Sequence, residues 1–132
     1  MEKFSLKGFQ HKVDDVLVRH SSVLDILTKL QESSARINRA VAKSATYCGC
    51  IQLNITKQEA PQDISYSELK NYMSSHVTGD LCDVCREKIE QELSINFFYI
   101  TALANAFNTD IESLLNSYYE NQLKTLGKYG LL

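Results

Sequence analysis

All four cysteines of the chain fall in two tight pairs, Cys48 and Cys50 in YCGC and Cys82 and Cys85 in LCDVC. Four thiolates in two chelating pairs suit tetrahedral zinc, whose structural sites take soft sulfur ligands. The spacing is not that of a common finger: C-x-C is tighter than C-x-x-C, and about thirty residues separate the pairs. Two other uses stay open. Free cysteines behave as small buried hydrophobes, and C-x-x-C at a helix start is the local form of a redox dithiol, although no βαβ pattern surrounds Cys82 and Cys85. Zinc held by Cys48, Cys50, Cys82 and Cys85 is the expectation, and a closed site of that kind supplies stability and does no chemistry.

The acids offer a second kind of chemistry. LQESSARINRA carries Glu32, with Arg36 four residues on, and REKIEQELSINFFYI carries Glu87, Glu90 and Glu92. Acids at helical spacing on two facing helices can hold Mg²⁺ and through it a nucleoside triphosphate. The same residues also read as a solvated face, because Glu32 and Arg36 make an ordinary i, i+4 pair and Glu87 lies early in its helix, where acids favour the dipole. His11, His20 and His76 stand alone in sequence. Only His76 lies between the cysteine pairs, and with four thiols already present it is expected as an exposed loop residue.

These residues need elements to position them. Pro61 is the only proline, and Gly8, Gly49, Gly79, Gly127 and Gly130 are read as lying outside the periodic segments. From about Ser22 to Tyr47, Val23, Ile26, Leu27, Leu30, Ser34, Ile37, Val41 and Ala45 recur at helical intervals. A second long helix is expected from Leu81 to Phe107. It has one stripe of Ile89, Leu93, Phe97, Ile100, Ala104 and Phe107, and beside it another of Ile95, Phe98, Ala102 and Ala106. A third starts at TDIE, a capping box of Thr109 with Glu112, and ends at Gly127. A shorter helix precedes all three, near Gln10 to Arg19. Between the cysteine pairs, at about residues 48–85, lies an irregular excursion with an extended IQLNI and a short helix after the capping pattern SYSE. The reading is one all-α domain over residues 1–132, with the cysteines where the first long helix ends and the second begins.

Apolar residues over so much of the second helix must be covered on two sides, which predicts a homodimer or tetramer. A net charge of −2, with cations interspersed among acids, makes nucleic acid an unlikely partner. No run approaches the roughly 18 apolar residues of a membrane span, and no apolar leader opens the chain, so a cytoplasmic protein with no membrane partner is expected.

IEQELSINFFYITALANAFNTDIESLL resembles the second half of the MazG-like all-α nucleotide pyrophosphohydrolases, where an E-x-x-D element runs into an aromatic-rich continuation, a short turn and another helix. KLQESSARINRAV is similar to the helix bearing that family's E-E-x-x-E element. The resemblance spans about residues 22–47 and 86–126. It implies a helical dimer or tetramer which, in active members, uses Mg²⁺ to split nucleoside triphosphates into monophosphate and pyrophosphate. Laid on those elements, Glu32 and Glu92 remain as residual catalytic candidates, while Ser33, Arg36 and Ile95 stand where acids belong. Two like unit charges about 4 Å apart cost roughly 4 kcal/mol at an effective dielectric near 20, and Mg²⁺ needs several oxygen ligands. The cleft of Glu32, Arg36, Glu92, Ile95 and Asn96 is therefore read as that of a pseudoenzyme, a zinc-stabilised binding or regulatory module for a protein or nucleotide. The alternative is a residual pyrophosphohydrolase whose substrate phosphates complete the Mg²⁺ shell.

Overall fold

The structure, a computed structural model, describes residues 3–129. Its first helix, α1 (Leu6–Val16), begins earlier than the apolar pattern suggests because Ser5 caps it, accepting from the Gly8 amide at 3.0 Å. Gly8 therefore sits in a first helical turn. The helix stops at Val16, where Leu17 turns extended, and does not reach Arg19.

The two long helices are α2 (Val23–Lys43) and, later in the chain, α4 (Asp83–Ala106). They pack antiparallel, so that Ile26 near the start of α2 meets Ala102 near the end of α4. Both join Val13 of α1 in the buried cluster, with Phe9, Leu17, Phe98 and Leu103 against it. The covered face of α2 runs through Ile26, Leu30, Ser33, Ile37, Ala40 and Ser44. Ser33 is thus the buried serine, and the expected Ser34 points outward, where its hydroxyl accepts from the Asn96 amide at 3.2 Å. Small residues on this seam let the helices approach closely, which the apolar count alone does not reveal. On α4 the chain itself partly covers Ile95 and Phe98 and buries Ala102, while Leu93, Phe97, Ile100 and Phe107 stay exposed.

One side chain ties α1 to the far end of this pair. The Gln10 amide donates to Asn105 Oδ1 at 2.9 Å and to the Thr109 carbonyl at 2.7 Å, and its oxygen accepts from the Ile111 amide at 2.9 Å. The last helical region follows as α5 (Ile111–Tyr118), a π-turn over Tyr119–Leu123, and α6 (Lys124–Tyr129). Its cap is Asp110, which accepts from the Ser113 amide at 3.0 Å, one residue beyond the expected Thr109. Gly127 lies inside α6 and does not end the helix; one glycine lowers helix stability without breaking it.

Between the long helices the chain forms β1 (Ile51–Leu53), the short α3 (Tyr66–Leu69) and β2 (Val77–Gly79). The strands pair antiparallel, Ile51 opposite Gly79 and Leu53 opposite Val77. The class is therefore mostly helical with a two-stranded sheet, where an all-α fold was expected. Ser65 caps α3 as the SYSE pattern implies, accepting from Glu68. Gly79 has φ +86°, and a Cβ there would meet the Cys50 carbonyl oxygen at 2.6 Å, so only glycine closes this ladder.

Candidate metal centre

The cysteines are placed by how α2 ends and α4 begins. After Lys43 the helix loosens into a π-turn over Ser44–Cys48, and Gly49 in the left-handed region (φ +79°) donates back to the Ser44 carbonyl at 2.9 Å. That sharp reversal sends Cys50 directly into β1. On the other side β2 leads through Leu81 to Cys82, the N-cap of α4, whose sulfur accepts from the Cys85 amide at 3.4 Å. The β1–β2 ladder holds the two pairs opposite each other.

The four sulfurs lie within 4.8 Å of one another, and Cys48 Sγ and Cys82 Sγ are 3.8 Å apart. A zinc tetrahedron with Zn–S near 2.3 Å has sulfur–sulfur edges of about 3.8 Å. Shifts of about 1 Å or less at the longest edges therefore bring the thiols to ligand distance, and the donor set fits zinc. This is the one such cluster of three or more Cys, His, Asp or Glu ligand groups among the described residues. His76 is not part of it: partly covered, it has φ +61° and its Nε2 pairs with the Thr56 carbonyl at 2.7 Å.

The thiols are not equivalent. Cys82 is pulled down to about 7, first by the Cys85 amide donating to its sulfur and then by the Cys85 thiol. Cys85 is pushed up to about 12: the Ser44 hydroxyl lowers it, but the other three thiols and burial outweigh that. Cys48 is also raised, with Cys85 lowering it and Cys82 acting against that. A thiolate stabilised by a helix N-terminus at Cys82, beside the raised thiols of Cys48 and Cys85, is how the site shares charge before metal neutralises it.

The acids are not gathered into one site. Glu32 is on the surface of α2, its Oε1 3.0 Å from Arg36 and its Oε2 3.6 Å from Lys29. The Arg36 hydrogen bond, and then the charge of Lys29, hold its carboxyl below the usual range. Glu92 is buried at 2% exposure, with Oε1 3.0 Å from Lys88 and Oε2 without a partner among the described residues. Glu32 lines a small hollow with Lys29, Ser33, Arg36, Ile95 and Tyr99, whereas Glu92 lines a groove toward the cysteines. Glu87 and Glu90 are exposed, and Asn96 is engaged with Ser34.

That groove, about 470 Å³, was not anticipated from the sequence. It runs between α2 and α4 past Arg36, Arg39, Lys43, Tyr47, Val84, Lys88 and the cysteines. The available signal was the spacing of Arg36, Arg39 and Lys43, three cations on adjacent turns of one helix face. Comparison of the chain with protein-family models, with curated proteins and with solved structures finds no match.

Proposed function

We propose that this protein is a non-catalytic, MazG-like binding or regulatory module whose helical hairpin is clamped by structural zinc at Cys48, Cys50, Cys82 and Cys85. The observation that carries the reading is the separate neutralisation of the two remaining acids. Glu32 is committed to Arg36 and Lys29 on the surface, Glu92 to Lys88 in the interior, and the two line different hollows. Ile95, which shares the hollow of Glu32, offers no oxygen. A hard divalent cation is better served by several convergent oxygens than by two acids already paired with cations.

The test is pyrophosphate release from a panel of canonical and modified nucleoside triphosphates, using zinc-loaded protein with Mg²⁺ or Mn²⁺. No turnover is expected, and Ile95→Asp is expected to loosen packing without creating any. Turnover abolished by both Glu32→Gln and Glu92→Gln would establish the residual pyrophosphohydrolase instead.

The same reading includes a homodimer formed through the exposed stripe of α4. Phe97 is 59% exposed, and Ile100, Leu114 and Leu115 stand beside it with Phe4 and Leu6 across a shared apolar trough. Large contiguous apolar surface of this kind is uncommon on a free monomer. Phe97→Glu is expected to weaken self-association by about a hundredfold or more, read by sedimentation over a series of concentrations in analytical ultracentrifugation. A wild-type protein that stays monomeric at high micromolar concentration would exclude the dimer.

A further inference from the structure

The groove beside the cysteine cluster has features that the metal clamp does not require. Its four cations differ in their commitments: Arg36 is paired with Glu32 and Lys88 with Glu92, both at 3.0 Å, while Arg39 and Lys43 have no ionic partner among the described residues. Arg39 and Lys43 stand four residues apart on exposed positions of α2, so they repel each other on one helix face. The surface between and behind them is apolar: Ala40 on the same helix, Val84 across the groove, and Tyr47, 88% exposed, at the mouth. The volume of about 470 Å³ lies in the range of small-molecule sites, which are concave and largely apolar with a few convergent polar groups.

We propose that this groove binds a small organic anion, its phosphate or carboxylate head held between Arg39 and Lys43 and its apolar body against Ala40, Tyr47 and Val84. The proposal rests on the binding-module reading and names the class of ligand. An anion bridging Arg39 and Lys43 replaces a repulsion by two charge-assisted hydrogen bonds, and the guanidinium offers it a planar fork. The rival use of these cations is to offset the charge of about −2 that four thiolates leave on a zinc centre. That role needs neither an exposed tyrosine nor an apolar wall.

The experiment titrates zinc-loaded full-length protein with inorganic phosphate, phenyl phosphate and benzoate, following amide shifts of residues 36–48 and 82–92 by NMR, with bound zinc measured in every sample. Saturable binding of phenyl phosphate or benzoate is expected, the tighter of the two naming the head group, with phenyl phosphate about tenfold tighter than inorganic phosphate. Arg39→Gln and Lys43→Gln should each weaken the organic anions by about tenfold with zinc retained, and Tyr47→Ala should remove the advantage of the phenyl ring. Shifts that never saturate, or affinities unchanged in both cation variants, would overturn the proposal. Loss of zinc from those variants, with no binding by wild type, would assign the cations to the tetrathiolate. None of these outcomes depends on pyrophosphate release, so failure here is distinct from failure of the non-catalytic reading.

Discussion

Stripping zinc from the protein with a chelator is expected to release residues 54–76 to proteolysis, with cleavage there faster by about a hundredfold while the α1–α2–α4 cluster stays protected. The expectation follows from how little else holds the excursion. No residue from Gln52 to Asp80 is buried, and β1 and β2 share only three residue pairs, a length of hairpin that is marginal alone in water. Gln58 clamps Ser74 through two hydrogen bonds, and His76 reaches Thr56, but these ties lie within the excursion, and its main approach to the helices is the short α3 against α6. The buried cluster of Val13, Ile26 and Ala102 is at the opposite end of the long helices and does not depend on the cysteines. Cys82→Ser should reproduce the chelated state, since it removes a ligand while the serine hydroxyl keeps α4 capped. The sign with pH is fixed by the thiols: zinc must displace protons from Cys85, near 12, and from the raised Cys48, so affinity rises with pH and chelation is easier in mild acid. Equal proteolysis of loaded and stripped protein would show that the cluster is not a clamp.

The second large effect concerns Lys88 and Glu92, and its two halves have opposite signs. Lys88→Ala is expected to destabilise the fold by about 2–3 kcal/mol, because it leaves the buried Glu92 carboxylate uncompensated; the more than half-exposed lysine puts the cost toward the low side of buried-pair measurements. Glu92→Leu should be neutral or stabilising by about 1 kcal/mol, since it removes a buried charge with one unpartnered oxygen and substitutes apolar packing on the α2–α4 seam. Urea unfolding of both variants decides it. If Glu92→Leu instead unfolds the protein, Oε2 has a partner that the chain does not supply, and a bound cation at that position returns as the explanation.

The cysteine cluster was legible from the chain because its signal is local: two short motifs at the ends of breaker-free stretches need only a helix–excursion–helix connection to meet. The long helices were legible for the same reason, as periodicity survives without knowledge of the partner. What periodicity does not give is which neighbouring position faces inward when the seam is built from small residues. Ser33 and Ser34 are equally plausible until the helices are packed, with Ser33 buried and Ser34 facing the Asn96 amide. The Gln10 clamp was invisible because its partners, Asn105, Thr109 and Ile111, are about a hundred residues away. Helix ends shifted where a competing cap was available, Ser5 for α1 and Asp110 for α5, since a short side chain that satisfies a free amide sets the boundary more firmly than the apolar pattern. The small sheet needed both of its strands, and VTG carries no strand pattern of its own. The pairing of Glu32 with Arg36 was legible from its i, i+4 spacing, but the burial of Glu92 beside Lys88 depended on how the helices pack.

The β1–β2 ladder gives the excursion a stem of its own, and beyond that stem α3 lies against α6. Leu53 and Val77 close its stem, and everything from Asn54 to His76 hangs beyond that closure. Loop-closure entropy grows only with the logarithm of length, about 0.6 kcal/mol for each doubling. The stem and the cysteines bear the geometric demand on α2 and α4, so the loops between the stem and α3 can lengthen, shorten or change composition while those helices keep their register. Diversification, natural or engineered, can thus be concentrated on one appendage, and residues 54–64, between β1 and the cap of α3, form an insertion port for a foreign peptide or reporter.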